Sequence, residues 1–484
     1  MVDLPQHVDV LIVGAGLSGI GAAAQLTREH PARSYAVLES REVSGGTWDL
    51  FRYPGVRSDS DMFTLGYRFK PWRGDKALAD GPSILDYVRE TAREYAVDEH
   101  IVYGHRVVAA DWDSATARWT VTARTADGDV TVTAQVLWSC SGYYDYDQGF
   151  TPVLPGLDGF GGRVVHPQHW PEDLDTTGRR VVVVGSGATA VTLVPALAQA
   201  GAAHVTMLQR SPTYVLSLPA SDPVANLLKR WLPERASYAV TRWKNVLVTS
   251  GIYQLSRRRP DTLRRFIRKQ TVVRLPEGYD VDTHFKPRYD PWDQRLCLVP
   301  DGDLFTAISS GAASVVTDTI ATFTEHGVRL TSGEELEADV VVTATGLNVV
   351  PFGSVDLSVD GDPVTLPDTM AYQALMLSGV PNFVFTIGYT NASWTLKADL
   401  VAEYVCRLLG HLDERGYRSF VAVPDPTVAE TPLMDFEAGY VLRALHLLPK
   451  QGDREPWRLR QNYLRDVRTI RRGTLDDGVL SFSQ

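Results

Sequence analysis

The stretch from Val8 to Gly19, VDVLIVGAGLSG, decides the fold. Its apolar, largely β-branched beginning predicts a buried strand at 8–13, and the apolar spacing that follows predicts a helix at 17–28. The spacing G-x-G-x-x-G between a strand and a helix is the fingerprint of a dinucleotide-binding βαβ unit. Its residues are Gly14, Gly16 and Gly19, with Ser18 at the predicted helix start, where free N–H groups favour a diphosphate.

A second unit of the same kind begins with a predicted strand at 180–184. Its turn is Gly185-Ser186-Gly187-Ala188-Thr189-Ala190, in which Ala190 replaces the third glycine. Two such units predict an α/β protein with two Rossmann-like domains. We expect the first part of an FAD domain at 1–143, and a linker and NADP domain at 144–340 with a helical insertion at about 219–290. The chain then returns to the FAD domain at 341–484.

The residues that follow each turn distinguish the two cofactors. Glu39 lies 25 residues after Gly14, and Arg210 lies 25 residues after Gly185. A carboxylate suits a ribose 2′-hydroxyl and repels a 2′-phosphate, whereas a guanidinium suits the phosphate. We therefore expect FAD on the first unit and NADPH on the second, where Ser211 adds a hydroxyl beside Arg210.

Composition excludes several other classes of protein. The net charge of −10 argues against a general nucleic-acid binder. The three cysteines, Cys140, Cys297 and Cys406, are far apart, so we expect no disulfide framework and no dithiol redox centre. His166 and His169 have no cysteine or carboxylate partner at metal-ligand spacing, so we expect no metal site. The segment 1–6 lacks the basic region of a secretory signal, which favours a cytoplasmic protein.

The charge is unevenly distributed along the chain. The segment 221–274 holds 13 Lys or Arg against 3 Asp or Glu, together with Trp231, Trp243 and Phe266. A solvated helical subdomain would explain this composition. Attraction to a phosphate-bearing cofactor or to an anionic membrane surface is the alternative.

A third motif lies between the two glycine turns. It consists of Phe160, Gly162, His166, Trp170 and Pro171 in the spacing F-x-G-x-x-x-H-x-x-x-W-P. This spacing resembles the fingerprint of Baeyer–Villiger monooxygenases, which are class B flavoproteins. Gly45-Gly46-Thr47-Trp48, Tyr53-Pro54-Gly55 and Asp59 match a longer signature of that family, and Ala344-Thr345-Gly346 matches its hinge motif. One member of the family is matched more closely, at 47–62, 185–198, 207–214, 291–300 and 388–400.

The resemblance implies a reaction and its reactants. In the family, NADPH reduces FAD, the reduced flavin activates O₂, and one oxygen atom is inserted beside a ketone carbonyl to give an ester or lactone. We expect a small apolar ketone as substrate, and also oxidation of sulfur in thioethers or thioamides. Related flavin enzymes that oxidise only nitrogen or sulfur usually carry Tyr or Phe where this chain has Trp170, so such an enzyme is the alternative.

The resemblance also implies roles for individual residues. Arg295 matches the family's active-site arginine, a permanent cation that can stabilise developing negative charge. Asp59 matches the acid that the family places beside it. Many members carry Lys immediately before this arginine, but Gln294 occupies that position here. We therefore expect Arg210, with Ser211, to provide most of the preference for NADPH.

Further contacts with the cofactors are predicted from position. By family position, Thr47, Trp48 and Asp59 contact the flavin, while Arg57 and Ser58 lie next to the nicotinamide half of NADP. Val107, at the end of a short predicted strand, would bond adenine through its backbone. Asn391 and Ser393 precede a predicted helix at 394–409, so either could cap it. Trp394 would line the substrate pocket or fill the core.

The motif between the two turns raises a hypothesis about movement. Hydride transfer and oxygen transfer need the nicotinamide in different places. A linker fixed at His166 and Trp170 could couple the cofactor's position to domain rotation. A different class of protein, a redox-responsive flavoprotein module that binds a membrane or a partner, finds its only support in the basic segment 221–274.

Overall fold

The computed structural model describes residues 3–294, 296–434 and 438–484, so the predicted catalytic Arg295 lies outside the described residues. In the described part of the chain the helices are α1 (Leu17–Glu29), α2 (Thr47–Leu50), α3 (Met62–Leu65), α4 (Gly81–Glu94), α5 (Ala188–Gln199), α6 (Pro223–Trp231), α7 (Glu234–Arg258), α8 (Pro260–Arg274), α9 (Val281–His284), α10 (Asp303–Ser309), α11 (Trp394–Arg415), α12 (Gly439–Ala444) and α13 (Tyr463–Asp466).

The strands of the same residues follow in chain order. They are β1 (His7–Val13), β2 (Tyr35–Leu38), β3 (Ile101–Val102), β4 (Arg106–Asp113), β5 (Arg118–Thr125), β6 (Gly128–Ser139), β7 (Tyr144–Gly149), β8 (Arg163–Val165), β9 (Arg180–Val184), β10 (His204–Gln209), β11 (Val215–Leu218), β12 (Cys297–Pro300), β13 (Ala313–Thr317), β14 (Ile320–Thr324), β15 (Gly327–Leu330), β16 (Glu335–Glu337), β17 (Val340–Thr343), β18 (Leu347–Val349), β19 (Asp356–Val359), β20 (Asp362–Pro363), β21 (Ala371–Tyr372), β22 (Met376–Leu377), β23 (Phe383–Phe385), β24 (Ser419–Ala422), β25 (Glu430–Pro432), β26 (Lys450–Gly452) and β27 (Leu480–Ser483).

The largest sheet is built around the first glycine turn. Strand β1 lies parallel between β2 and β6, and β3 extends the parallel edge. Strands β4, β5 and β6 form an antiparallel meander on the other side, and β23 returns late in the chain to pair with β6. Helix α11 packs on α1 and is buried along most of its length. The residues after 380 therefore complete the domain that the first residues begin.

The second sheet is built around the second glycine turn. Its strands are parallel in the order β13-β10-β9-β17-β8. The three strands β14, β15 and β16 form a separate antiparallel meander beside it. Strands β7 and β18 pair with each other, one before and one after this domain in sequence. The two connections between the sheets thus lie side by side.

The basic segment forms a helical insertion, as predicted. The insertion interrupts the second unit between β11 and β12, which pair with each other in parallel. It contains α6 to α9, and the basic segment 221–274 supplies α6, α7 and α8. Helix α7 packs on the first domain. Its Arg242 donates to the carbonyl oxygens of Phe63 at 2.9 Å and Gly66 at 2.6 Å. The insertion therefore contacts both domains.

Most predicted elements agree with the structure to within a few residues. The predicted strands at 8–13 and 180–184 correspond to β1 and β9, and the predicted helix at 17–28 corresponds to α1. One prediction was wrong: Val107 lies at the start of β4, not at the end of a strand. Among the described helices we find none with the length and apolarity needed to cross a membrane.

Candidate functional site

A large cleft lies between the two sheets at the carboxyl ends of their central strands. Its volume is about 650 Å³, within the range of cofactor and small-ligand sites. Both glycine turns contribute to its wall. The predicted site residues that line it are Gly14, Gly16, Ser18, Glu39, Thr47, Trp48, Arg57, Ser58, Asp59, Val107, Gly187, Ala188 and Thr189.

The first turn is compact because two of its glycines lie too close to backbone atoms for any side chain to fit. Gly14 has φ +102°, and a Cβ there would lie 2.9 Å from the carbonyl oxygen of Cys140. A Cβ on Gly19 would lie 1.8 Å from the carbonyl oxygen of Gly14, so helix and turn could not pack as closely with any other residue. Gly16 is the N-cap residue of α1 and has no side chain to cap the helix, which leaves the first N–H groups of α1 facing the cleft. This cradle fits a diphosphate.

Glu39 directly follows β2 and lines the same cleft. Its side chain is buried, and its carboxylate accepts hydrogen bonds from the backbone N–H of Ala15 at 2.8 Å and of Arg41 at 3.0 Å. Each carboxylate oxygen has more than one acceptor site. The two bonds therefore fix the carboxylate against the glycine turn and still leave acceptor capacity for a ribose hydroxyl.

The second turn repeats this geometry with a wider opening. Gly185 has φ +134°, and a Cβ there would lie 2.3 Å from the carbonyl oxygen of Ala344. At Gly187 a Cβ would meet nothing within 4 Å. Gly187 is the N-cap residue of α5 and leaves the start of the helix without a side-chain cap, as Gly16 does for α1. Ser186 is turned away from the cleft, because its hydroxyl bonds Thr213 at 2.9 Å and the carbonyl oxygen of Ser211 at 3.2 Å.

Arg210 and Ser211 follow β10 directly and are both exposed. Strand β10 pairs with β9, and the carbonyl oxygen of Leu208 accepts from Gly185 N at 2.8 Å, so the end of β10 lies beside the second turn. Gly19, Gly185, Ser186, Arg210 and Ser211 were predicted as site residues but do not line the cleft itself. Gly19, Gly185 and Ser186 belong to the glycine motifs themselves, and Arg210 and Ser211 follow β10 beside the second turn.

The segment 45–59 covers the first turn. Thr47 bonds the hydroxyl of Tyr146 at 3.1 Å, and a Cβ on Gly16 would lie 3.5 Å from the Cα of Gly46, so the segment lies directly on the glycine turn. Ser58 is buried and its backbone bonds Ala79.

Arg57 forms an ion pair with Asp303 at the start of α10, at 2.5 Å, and both side chains are largely buried. The guanidinium is thus already held in place by a carboxylate of the second domain.

The residues before α11 were expected to cap that helix, and this prediction was wrong. Ser393 occupies the N-cap position, but its hydroxyl bonds Thr64 at 2.6 Å and makes no capping bond. The amide of Asn391 donates to the carbonyl oxygen of Gln461 at 2.9 Å. Trp394 lines the large cleft, where its indole N–H donates to the Ser18 hydroxyl at 2.7 Å and its ring stacks on Tyr143.

A second cavity of about 370 Å³ adjoins the cleft. Asp59, Ser60, Leu298 and Ala392 line both, so the two spaces meet at Asp59. Helix α7 forms one wall of the second cavity. Most of the lining is apolar or weakly polar, and includes Leu78, Val246, Leu247, Ser250, Trp292, Leu296, Leu396 and Tyr463. Gln294, between Trp292 and the undescribed Arg295, forms an isolated backbone bridge with Pro291.

The motif between the two turns lies at the paired connections of the domains. The Nδ1 atom of His166 accepts from Gln168 N at 3.2 Å, so Nε2 carries the proton and donates to the carbonyl oxygen of Gly346 at 3.2 Å. Burial lowers the pKa of His166, which favours this neutral form. A Cβ on Gly149 would lie 2.0 Å from the ring. His166 therefore contacts both connections, at β7 and at the residue before β18.

The rest of the motif belongs to the second domain. Phe160 is buried against Phe323 in an edge-to-face contact. A Cβ on Gly162 would lie 2.4 Å from the carbonyl oxygen of Asp339, which explains the glycine. Trp170, which precedes Pro171, packs against the core that surrounds α5.

Sequence reasoning missed an aromatic group in the cleft. Tyr143, Tyr144 and Tyr146 line it, directly after the carboxyl end of β6. Burial raises the pKa of Tyr146 to about 12, so its hydroxyl stays protonated beside Thr47. The run G-Y-Y-D-Y-D after a buried strand was the available signal, since polar and aromatic residues at the carboxyl end of a parallel strand face the ligand side of such folds.

Comparison with known proteins identifies the family. The profile described as flavin-binding monooxygenase-like matches residues 78–360, more than half of the chain, and the profile of an NAD(P)-binding Rossmann-like domain matches residues 12–70. The chain therefore belongs to the flavin-binding monooxygenase-like family. The predicted fold class, with its dinucleotide-binding domains, is confirmed.

Individual relatives are similar over their whole length. The FAD-containing monooxygenase EthA of Mycobacterium tuberculosis is 56% identical over 482 residues, which cover 99% of each chain. EthA of Mycolicibacterium smegmatis is 56% identical over 483 residues, covering 99% of this chain and 98% of that protein. EthA is the ethionamide-activating monooxygenase, the member indicated by the five stretches of sequence.

Solved structures share the fold at low identity. A steroid monooxygenase bound to NADP superposes with a TM-score of 0.74 at 24% identity, over 86% of this chain and 88% of that one. A cyclohexanone monooxygenase bound to ε-caprolactone superposes with a TM-score of 0.75 at 19% identity, over 99% and 100%. FAD and NADP are the cofactors that these relatives and neighbours name, and the cofactor prediction is confirmed.

Proposed function

We propose that this flavin monooxygenase uses FAD and NADPH to insert an oxygen atom from O₂ into apolar ketones, and that it also oxidises sulfur in thioethers or thioamides. The observation that carries the proposal is the meeting of two cavities at Asp59. One cavity is built for dinucleotides, and the other is a smaller, mostly apolar space. The similarity in fold to a cyclohexanone monooxygenase and the fingerprint that contains Trp170 support the choice of ketones as substrates.

Different residues bind the two nucleotide cofactors. The first turn and Glu39 hold FAD, with Thr47, Trp48 and Val107 along the cleft, and the second turn with Ala188 and Thr189 holds the diphosphate of NADPH. Arg210 and Ser211 follow β10 beside that turn, and we propose that they bind the 2′-phosphate. We propose the division into 1–143, 144–340 and 341–484 on the same grounds, with Arg57 and Ser58 on the nicotinamide side of the cleft.

Catalysis takes place at the junction of the two spaces. The flavin supplies the oxygen-transfer chemistry when bound. Asp59 belongs to both walls and is one member of the acid–arginine pair that we propose with Arg295. A fixed cation stabilises the negative charge that develops when a ketone carbonyl is attacked, and a neighbouring carboxylate keeps that cation in position. Apolar walls exclude water and favour productive transfer over release of hydrogen peroxide.

Oxidation of sulfur alone, as in the ethionamide-activating relative EthA, is the second candidate function. Parallel incubations with NADPH, O₂ and either phenyl methyl ketone or phenyl methyl sulfide distinguish the two. Formation of phenyl acetate supports the proposal. Sulfoxide formation without any ester would assign the enzyme to the second candidate, and NADPH consumption that yields only hydrogen peroxide would contradict both.

A further inference from the structure

Helix α7 has its polar and apolar faces reversed relative to an ordinary surface helix. Its buried residues are Ser237, Tyr238, Thr241, Arg242, Val246 and Ser256. The large apolar side chains of the same helix are exposed, with relative exposures of 40% to 55% at Val240, Trp243, Leu247, Val248, Ile252 and Leu255. They form two runs with steps of three and four residues, Val240, Trp243 and Leu247 and then Val248, Ile252 and Leu255, which follow each other along the helix. Together we call these six exposed residues the outer stripe.

The inner face is fixed by specific polar contacts, so the helix cannot simply rotate to bury its stripe. Arg242 donates to Asp399 of α11 at 2.7 Å and to three backbone carbonyl oxygens of residues 63–66. Tyr238 donates to the carbonyl oxygen of Tyr67 at 3.0 Å, and Asn245 donates to Asp61 at 2.8 Å. The orientation of the outer stripe is therefore a property of the docked helix.

The neighbouring helices extend this apolar surface. Trp231 at the end of α6 is 80% exposed, and Val273 near the end of α8 is 74% exposed. Val224, Leu227 and Phe266 are exposed as well. Helices α6 and α8 both contact α7, and so many exposed apolar side chains on three adjoining helices normally mark a surface that something else covers.

The charge around the stripe indicates what covers it. The segment 221–274 has 13 basic and 3 acidic residues in a chain whose net charge is −10. The exposed cations Arg230, Arg235, Arg258, Arg259 and Lys269 have no ion pair with any carboxylate of residues 3–294, 296–434 and 438–484. Exposed Trp, Leu and Val flanked by Arg and Lys is the composition of helices that lie in the surface of an anionic membrane.

The stripe also leads to the second cavity. Leu247 is exposed on the stripe and lines that cavity, together with Ser250 and Gln254 of the same helix. We propose that the outer stripe of α7, with the exposed ends of α6 and α8, rests on an anionic phospholipid surface, so that apolar substrates pass from the lipid into the second cavity. The lipid contact does not depend on the function proposed above. The route for substrates does rest on that proposed function.

The test uses the full-length FAD-loaded protein and vesicles of phosphatidylcholine with and without phosphatidylglycerol. We expect pelleting with the mixed vesicles only, and weaker pelleting as salt rises. Removing two charges in Arg258→Gln/Arg259→Gln should weaken partitioning about 25-fold, since each basic residue contributes about fivefold near such a surface. The matched control, Arg179→Gln/Arg415→Gln, changes two exposed arginines elsewhere and should bind like the wild type.

A second pair of variants tests the apolar stripe. Val248→Ser/Ile252→Ser/Leu255→Ser should weaken partitioning at least tenfold, on the order expected for losing several buried CH₂ groups per side chain. Val153→Ser, at a valine that is 97% exposed outside the insertion, is the control. All variants should oxidise a water-soluble ketone at the wild-type rate without vesicles, which separates loss of lipid binding from failure of the proposed function.

Two results would overturn the proposal. One is equal pelleting of the wild type with neutral and anionic vesicles, or none with either. The other is a concentration-dependent dimer, measured by light scattering without lipid, that is lost in the triple serine variant although that variant still pellets with lipid. A second copy of the chain, and not a membrane, would then cover the stripe.

Discussion

Gly187 provides the sharpest test of how the second turn holds its nucleotide. It has an ordinary negative φ of −76°, and a Cβ there would meet nothing within 4 Å. Replacing it by alanine should therefore leave folding intact, and reduced freedom of the unfolded chain could stabilise it slightly. The new methyl group would occupy the space through which a diphosphate approaches the uncapped start of α5.

The expected change in the Kd for NADP⁺ follows from the backbone hydrogen bonds to the diphosphate that would be lost. A hydrogen bond from a backbone N–H to a charged oxygen contributes about 1.5–3 kcal/mol. Displacing the diphosphate enough to lose one such bond should raise the Kd for NADP⁺ about 10- to 150-fold. FAD, held by the first turn, should stay bound with an unchanged absorption spectrum.

Calorimetric titration with NADP⁺ and the melting temperature would be measured together. Gly159→Ala is the matched control, because a Cβ there also meets open space but lies outside the cleft. Gly185→Ala should instead lower the melting temperature, because its Cβ would lie 2.3 Å from the carbonyl oxygen of Ala344. A Kd for Gly187→Ala within twofold of the wild type would refute this account of the second turn.

Three further predictions concern other parts of the molecule. Arg210→Ser should lower kcat/KM for NADPH at least tenfold and leave that for NADH within about twofold, because only the 2′-phosphate loses its partner; an equal loss with both would argue against the role of Arg210. Burial holds the pKa of His166 below its usual value, so the unfolded chain binds this proton more readily and the fold should lose stability as pH falls below about 6.5. His166→Gln should show a shallower decline of unfolding free energy over that range, and parallel curves would contradict the assignment of the neutral form. Arg242→Met should destabilise the fold by about 3–5 kcal/mol in urea unfolding, because it leaves the Asp399 carboxylate buried without its partner at 2.7 Å; a loss no larger than that of Arg73→Met, at an exposed ion pair, would show that this contact does not hold α7 in place.

The two βαβ units could be predicted from sequence because their determinants are local. Strand, glycine turn and helix each depend on neighbours within about ten residues, and the structure places β1, α1 and β9 within one or two residues of the predicted bounds. The offset of 25 residues to Glu39 and Arg210 is likewise set by one βαβ unit.

The features that sequence reasoning missed depend on contacts between distant residues. The hydroxyl of Ser393 bonds Thr64, 329 positions away, and so does not cap its own helix. The docking of α7 rests on Arg242 and Asp399, which are 157 positions apart. The composition of the insertion predicted a helical subdomain, but only the fold shows that the polar side of α7 faces inward. The second cavity is similarly assembled from seven separate parts of the chain.

The claim that cofactors and substrate occupy adjoining spaces is tested most directly by filling the second cavity alone. Ser250 lines that cavity and not the cleft, whereas Val248, two residues earlier on α7, lines neither. Ser250→Phe should raise the KM for a ketone at least tenfold and divert NADPH oxidation toward hydrogen peroxide, with the Kd for NADP⁺ unchanged, and Val248→Phe should match the wild type in all three. An unchanged ketone KM in Ser250→Phe would contradict the account.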